Sequence, residues 1–143
     1  MDVSDLRKRI LRALDDARKD STARRQVVDA AAVAYQAFLE NTAVPLVRQA
    51  VTVLRAEGHQ FTANTPAGSV RLTSDTSPQT FLEFELDASG AEPHVVGRVS
   101  VTRGRQAVIV EERPIAPGKA LTDLADDDVA RFLVTEIPKL VVR

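Results

Sequence analysis

From Ser21 to Gly58 apolar side chains return at steps of three and four: Val28, Ala31, Tyr35, Phe38, Thr42, Leu46, Ala50 and Val53, with Ala32, Leu39 and Leu54 widening the stripe. That spacing turns one face of an α-helix toward an apolar surface. After Gly58 the period falls to two, the repeat of a half-buried β-strand. A chain that changes period in this way folds as helices laid on a sheet, an α+β architecture. Thirty-odd helical residues at ~1.5 Å each would make a rod of roughly 50 Å. A compact domain of 143 residues is only about 40 Å across. The helix therefore breaks or finds a partner. Pro45, which donates no hydrogen bond and clashes with the carbonyl four residues back, marks the expected kink or restart between Asn41 and Pro45, with Asn41 and Thr42 as caps. Gly58 suits the left-handed residue that closes a helix.

A second amphipathic stripe precedes the first. Between Asp2 and about Lys19, Val3, Leu6, Ile10, Leu14 and Ala17 share a face, and Asp2 or Ser4 can cap its start. Asp20-Ser21-Thr22 reads as the turn that separates it from the central helix, so that it folds back as an antiparallel hairpin or reaches out to another chain. Its other faces carry Arg7, Lys8, Arg9, Arg12, Arg18 and Lys19, diluted by Asp15 and Asp16. A solvated face explains these better than a phosphate-binding one, since no aromatic residue is interleaved for base stacking. Formal net charge is −1, so no long-range field favours nucleic acid or anionic membrane.

The sheet is expected to be a four- or five-stranded antiparallel meander over about residues 59–113, with helices on one face. Its strands are Gln60 to Thr65, Ser69 to Ser74, Phe81 to Asp87, His94 to Thr102 and Arg105 to Arg113. Leu82, Phe84 and Leu86 point inward, with Glu83 and Glu85 outward. A two-residue turn at Arg103-Gly104 would set Thr102 opposite Arg105 and Val99 opposite Val108. Val95, Val99, Val101, Val108 and Val110 would then line the core face, and Arg98 and Glu111 would be diagonal neighbours on the other. Asp126 opens a final helix over about residues 125–141, with Val129, Phe132, Leu133, Ile137, Leu140 and Val141 inward and Pro138 expected to kink or shorten it. No internal repeat appears, and one domain spanning 1–143 is the organisation these elements favour.

Chemistry is hard to find. The chain has no Cys, which removes disulfides, thiolate nucleophiles and Cys-ligated zinc together. His59 and His94 stand alone, and Asp123, Asp126, Asp127 and Asp128 lack the spacing of a calcium loop. No phosphate-cradling glycine loop and no nucleophile elbow occur. No cofactor is called for, no catalytic or metal residue is assigned, and an enzyme is disfavoured without being excluded. No apolar run approaches the roughly 20 residues of a membrane span, and Met1-Asp2-Val3-Ser4-Asp5 lacks the look of a secretory leader. A cytoplasmic setting is the expectation.

Three functions fit what is left. The first is a non-enzymatic interaction module that associates with itself or another protein through its N-terminal helices, with Leu6, Ile10, Tyr35 and Phe38 as interface candidates. The second is a small-ligand-binding protein or cofactor-free enzyme using a cleft between sheet and helix. Arg71, Arg98 and Glu111 would orient its ligand, and Gly97 would mark a close approach. The third, nucleic-acid binding through Arg7, Lys8, Arg9 and Arg12, is weaker.

Overall fold

The computed structural model describes residues 1–104 and 107–142. Helix α1 runs without interruption from Val3 to Phe38, a π-helical turn follows over Leu39–Ala43, and helix α2 continues from Val44 to Ala56. The expected turn at Asp20-Ser21-Thr22 does not form. Thr22 instead returns its hydroxyl to the Arg18 carbonyl, 2.9 Å away within the same helix. The N-terminal stripe and the first part of the central stripe thus belong to one rod and cannot fold into a hairpin. Asp2 caps its start, accepting the Ser4 N–H at 3.3 Å.

The break expected before Pro45 is replaced by the π turn. Asn41 and Thr42 lie within it and cap nothing. The Val44 N–H bonds to the Leu39 carbonyl, five residues back. One extra residue in the turn relieves the clash that a proline imposes on the i−4 carbonyl. It also advances the buried face by one position. From its last residue onward the buried positions are Ala43, Val47 and Leu54, while Leu46 and Ala50 are half-buried beside them and Val53 is left 62% exposed. Helix α2 ends where Gly58 adopts φ 87°. The His59 N–H reaches Leu54 O at 2.8 Å and the Gly58 N–H reaches Arg55 O at 3.0 Å, satisfying carbonyls of the last turn.

Five strands follow: β1 (Phe61–Asn64), β2 (Ser69–Ser74), β3 (Phe81–Asp87), β4 (His94–Arg103) and β5 (Ala107–Pro114). They form one antiparallel meander in chain order. Helix α3 spans Asp126–Val141. It continues past Pro138, because the carbonyl four residues back is that of Val134, a solvent-facing position where no protein donor is needed. The core lies between the sheet and the layer made by the π turn, α2 and α3. Leu72, Leu82, Phe84, Val99, Val129 and Phe132 are at its centre.

Gly97 explains itself in this packing. A Cβ there would sit 2.1 Å from the Phe132 ring, so the glycine admits the α3 aromatic onto the sheet, where it also meets Phe84 at 5.4 Å between centroids. The close approach read from the sequence is made by the chain's own core.

The β4–β5 register differs from the expected one. Val99 faces Glu111, Val101 faces Ile109, Thr102 faces Val108 and Arg103 faces Ala107; Arg105 lies outside the described residues. A shift by an odd number of residues exchanges the two faces of a strand. Val108 and Val110 consequently leave the core side, while Glu111 and Arg113 arrive there. Helix α3 supplies the reason. Arg113 donates to the buried Glu136 at 2.7 and 3.0 Å and its guanidinium lies 4.5 Å from the Phe132 ring. Lys139 stands 3.7 Å from Glu111. Paired charges between strand and helix prevail over the alternation of valines.

Candidate functional site

Of the four interface candidates, two are buried within the chain. Tyr35 and Phe38 are each 5% exposed. The Tyr35 hydroxyl donates to the carbonyls of Gly68 (2.7 Å) and Phe84 (3.2 Å), which fixes α1 to the end of the sheet. Burial, with the negative charges of Glu85 and Glu83 behind it, holds the phenol well above its ordinary value. Neither side chain is free to anchor a partner, and both leave the interface.

Leu6 and Ile10 stand in a different environment. Every residue from Met1 to Ala23 is exposed, so this half of α1 is not buried by the rest of the described chain. Steps of three and four run unbroken along the helix through Val3, Leu6, Ile10, Leu14, Ala17, Ser21, Arg24, Val28, Ala31, Tyr35 and Phe38. The stripe that rests on the body at Ala31, Tyr35 and Phe38 therefore continues, turned by about 20° per heptad, into the one that carries Leu6 and Ile10 outward. Contact with the body begins at Arg24, whose guanidinium donates to the carbonyls of Ala88 and Ala91 in the β3–β4 loop. In the free half Val3 is 81% exposed and Leu6, Ile10 and Leu14 are close to half exposed. Local support is slight: the Asp2 cap and an Asp15–Lys19 pair at 3.1 Å, worth a few tenths of a kcal/mol.

The ligand candidates separate. Arg71 and Arg98 lie on the outer face of the sheet in a network around Glu83. Arg71 Nε is 2.6 Å from Glu83, and Arg98 reaches Glu85 at 3.0 Å and Glu112 at 3.3 Å. Arg71 also covers the Phe81 ring at 4.2 Å. Glu112, not Glu111, is the partner of Arg98, because the shifted register carries Glu111 to the opposite face beside Lys139. Burial pushes the Glu83 carboxyl up, but a hydrogen bond shared with Glu85 and the adjacent Arg71 and Arg98 outweigh it and hold Glu83 below the usual carboxylate range. The same shared bond, with burial, holds Glu85 above it. Within the network each charge has a partner.

Clefts lie elsewhere among the described residues. One of about 700 Å³ lies at the end of the sheet beside α3; Ser77, Thr80 and Thr102 line it with Arg103 and Lys139 at its edge. Its hydroxyls bond one another, Thr80 to Ser77 at 3.2 Å and Ser77 to Thr102 at 3.4 Å. Another, about 720 Å³, lies between Val27 of α1 and the segment Pro114–Leu124. Arg71, Arg98 and Glu111 line neither. Among the described residues no group of three or more His, Cys, Asp or Glu could hold a metal ion. The aspartates of α3 act as helix-end chemistry. Asp128 accepts from Lys119 at 2.7 Å and from the Ala125 N–H at 2.9 Å, and these bonds hold its carboxyl below the usual range. No described helix is long and apolar enough to cross a membrane.

Sequence reasoning passed over Glu136, which is 2% exposed and paired to Arg113 and Lys139. An acid on α3 gives no sign of burial until the strand that carries Arg113 is in place. Comparison with known proteins adds nothing to the geometry: no family model, no curated protein and no solved structure matches the chain.

Proposed function

We propose that the protein is a non-enzymatic interaction module that associates with a second copy of itself through the free half of α1. One observation carries the reading: a helical segment whose apolar stripe continues the docked stripe of the same helix yet is left exposed by the other described residues. Such a segment is marginal in water by itself. Burying the remaining exposed area of Val3, Leu6, Ile10 and Leu14 in two copies contributes roughly 7–13 kcal/mol at ordinary transfer values. Association costs about 4–15 kcal/mol, so the expected dimer is weak and forms at micromolar concentrations or above. A two-fold contact is favoured because one surface then covers both stripes. Basic side chains of the free half alternate with Asp2, Asp5, Asp15, Asp16 and Asp20, which favours a protein partner over a nucleic acid.

Sedimentation equilibrium from ten to several hundred micromolar tests the reading. A concentration-dependent mass that returns to monomer in Leu6→Asp/Ile10→Asp supports it. A monomer across that range, or a dimer indifferent to those substitutions, refutes it.

A further inference from the structure

We infer that the second copy lies antiparallel to the first along α1, in a register that sets Leu6 against the partner's Ala17 and Ile10 between the partner's Ala13 and the partner's Leu14. This rests on the self-association proposed above and adds its geometry. Three observations on one helix point the same way.

The first is steric. The apolar face of α1 is covered by the chain's own body from Ala31 to Phe38, and contact starts at Arg24. A parallel partner that follows this stripe from Val3–Ala17 runs into that body: the stripe drifts about 20° per heptad on a straight helix, and a left-handed supercoil keeps the partner on it. An antiparallel partner leaves in the opposite direction and carries its own body past the far end of the first helix.

The second is volume. Along the free half the stripe runs from large to small: Val3, Leu6 and Ile10 first, then Ala13 with Leu14, then Ala17 and Ser21. Side by side in register, large would meet large and Ala17 would meet its own copy. The axes could not then hold one separation, and Ala17 would leave a gap. Reversed, Leu6 fills the space beside the partner's Ala17 and Ile10 that beside the partner's Ala13, so the spacing stays even, and Val3 falls opposite the partner's Asp20 at the open end of the seam.

The third is charge. Parallel pairing brings Arg24 onto the partner's Arg24, while Lys8 and Arg12 point away from the seam in either orientation. In the antiparallel register Arg9 lies beside the partner's Asp16, and the two-fold axis repeats that pair. The partner's Asp2 falls beside Ala23, one position from Arg24. The free half of each helix is thereby covered over its whole apolar length.

The chain has no native cysteine, so single thiols report the orientation directly. Leu6→Cys and Ala17→Cys are prepared separately, mixed and oxidised at a concentration where the protein associates. The expected product is a disulfide between the two variants, with little cross-linking of either alone. Homodisulfide from Leu6→Cys alone means a parallel pair and overturns the inference while leaving self-association standing. A dimer by sedimentation with no cross-link in any combination overturns the register, and a monomer overturns the self-association as well. A charge exchange keeps the test independent of oxidation. Arg9→Asp weakens the dimer roughly five- to tenfold through two like-charge contacts, and Arg9→Asp/Asp16→Arg restores it. Failure of the double variant to recover counts against the antiparallel register.

Discussion

The two halves of α1 are chemically alike and structurally opposite. Both present apolar residues at the same spacing on one continuous stripe. Between Ala31 and Phe38 that face is buried, and Tyr35 is bonded to two carbonyls of the sheet end; between Val3 and Ala17 it meets solvent. Periodicity therefore states that a face exists and where it points. It does not state what covers it. Coverage depends on where the rest of the chain ends, and here the body stops at Arg24.

Substitutions can break that contrast or sharpen it. The largest effect is expected in the body. Phe132→Ala removes the ring that fills the space above Gly97, and should lower unfolding free energy by about 3–5 kcal/mol in urea titration. A loss under 1 kcal/mol would mean that this contact is not the centre of the core. Glu136→Gln should cost less, about 1–2 kcal/mol, since its partner Arg113 keeps part of its hydration.

The same variant carries a pH signature. Burial pushes the Glu136 carboxyl up, but Arg113 and Lys139 together hold it below the usual range. In the folded chain the group therefore binds a proton less readily than in the unfolded one. Its contribution is complete above the ordinary carboxylate range and fades as the pH falls through the lowered folded value. Melting temperature followed from pH 6 down to pH 3 should fall less steeply in Glu136→Gln than in the parent chain. Equal slopes would assign the acid sensitivity to Asp128 and Glu83, which are displaced in the same direction.

On α1 itself, Tyr35→Phe in the docked half should cost about 1 kcal/mol by removing the donor to Gly68 and Phe84. Leu6→Asp/Ile10→Asp in the free half should leave the denaturation midpoint of the dilute monomer within about 0.5 kcal/mol of the parent. A large loss of monomer stability on changing Leu6 and Ile10 would end the comparison, because it would place the free half against the body.

Much of the fold was legible from spacing. The helix-to-sheet switch at Gly58, the Schellman closure there, the meander in chain order and the start of α3 at Asp126 are local matters of period, turn chemistry and capping. The misjudged features have non-local causes. Asp20-Ser21-Thr22 has turn-forming residues, yet a helix already running on both sides absorbs them. Pro45 was a reason for a break, and the extra residue of a π turn removed that reason while shifting the stripe from Val53 to Leu54. Tyr35 and Phe38 suited a core better than a partner, and the sheet end against which they lie buries both. The hairpin register rested on a turn of assumed length. The charges of α3, some 25 residues further along, selected another.

By itself the sequence determined which segments are helix and which are strand, because those preferences act within a few residues through backbone geometry and the alternation of apolar side chains. Only the tertiary structure decided which apolar faces are covered, which valines of β5 point outward and which acids are buried. Those outcomes depend on distances between segments far apart in the chain, and no local pattern encodes a distance.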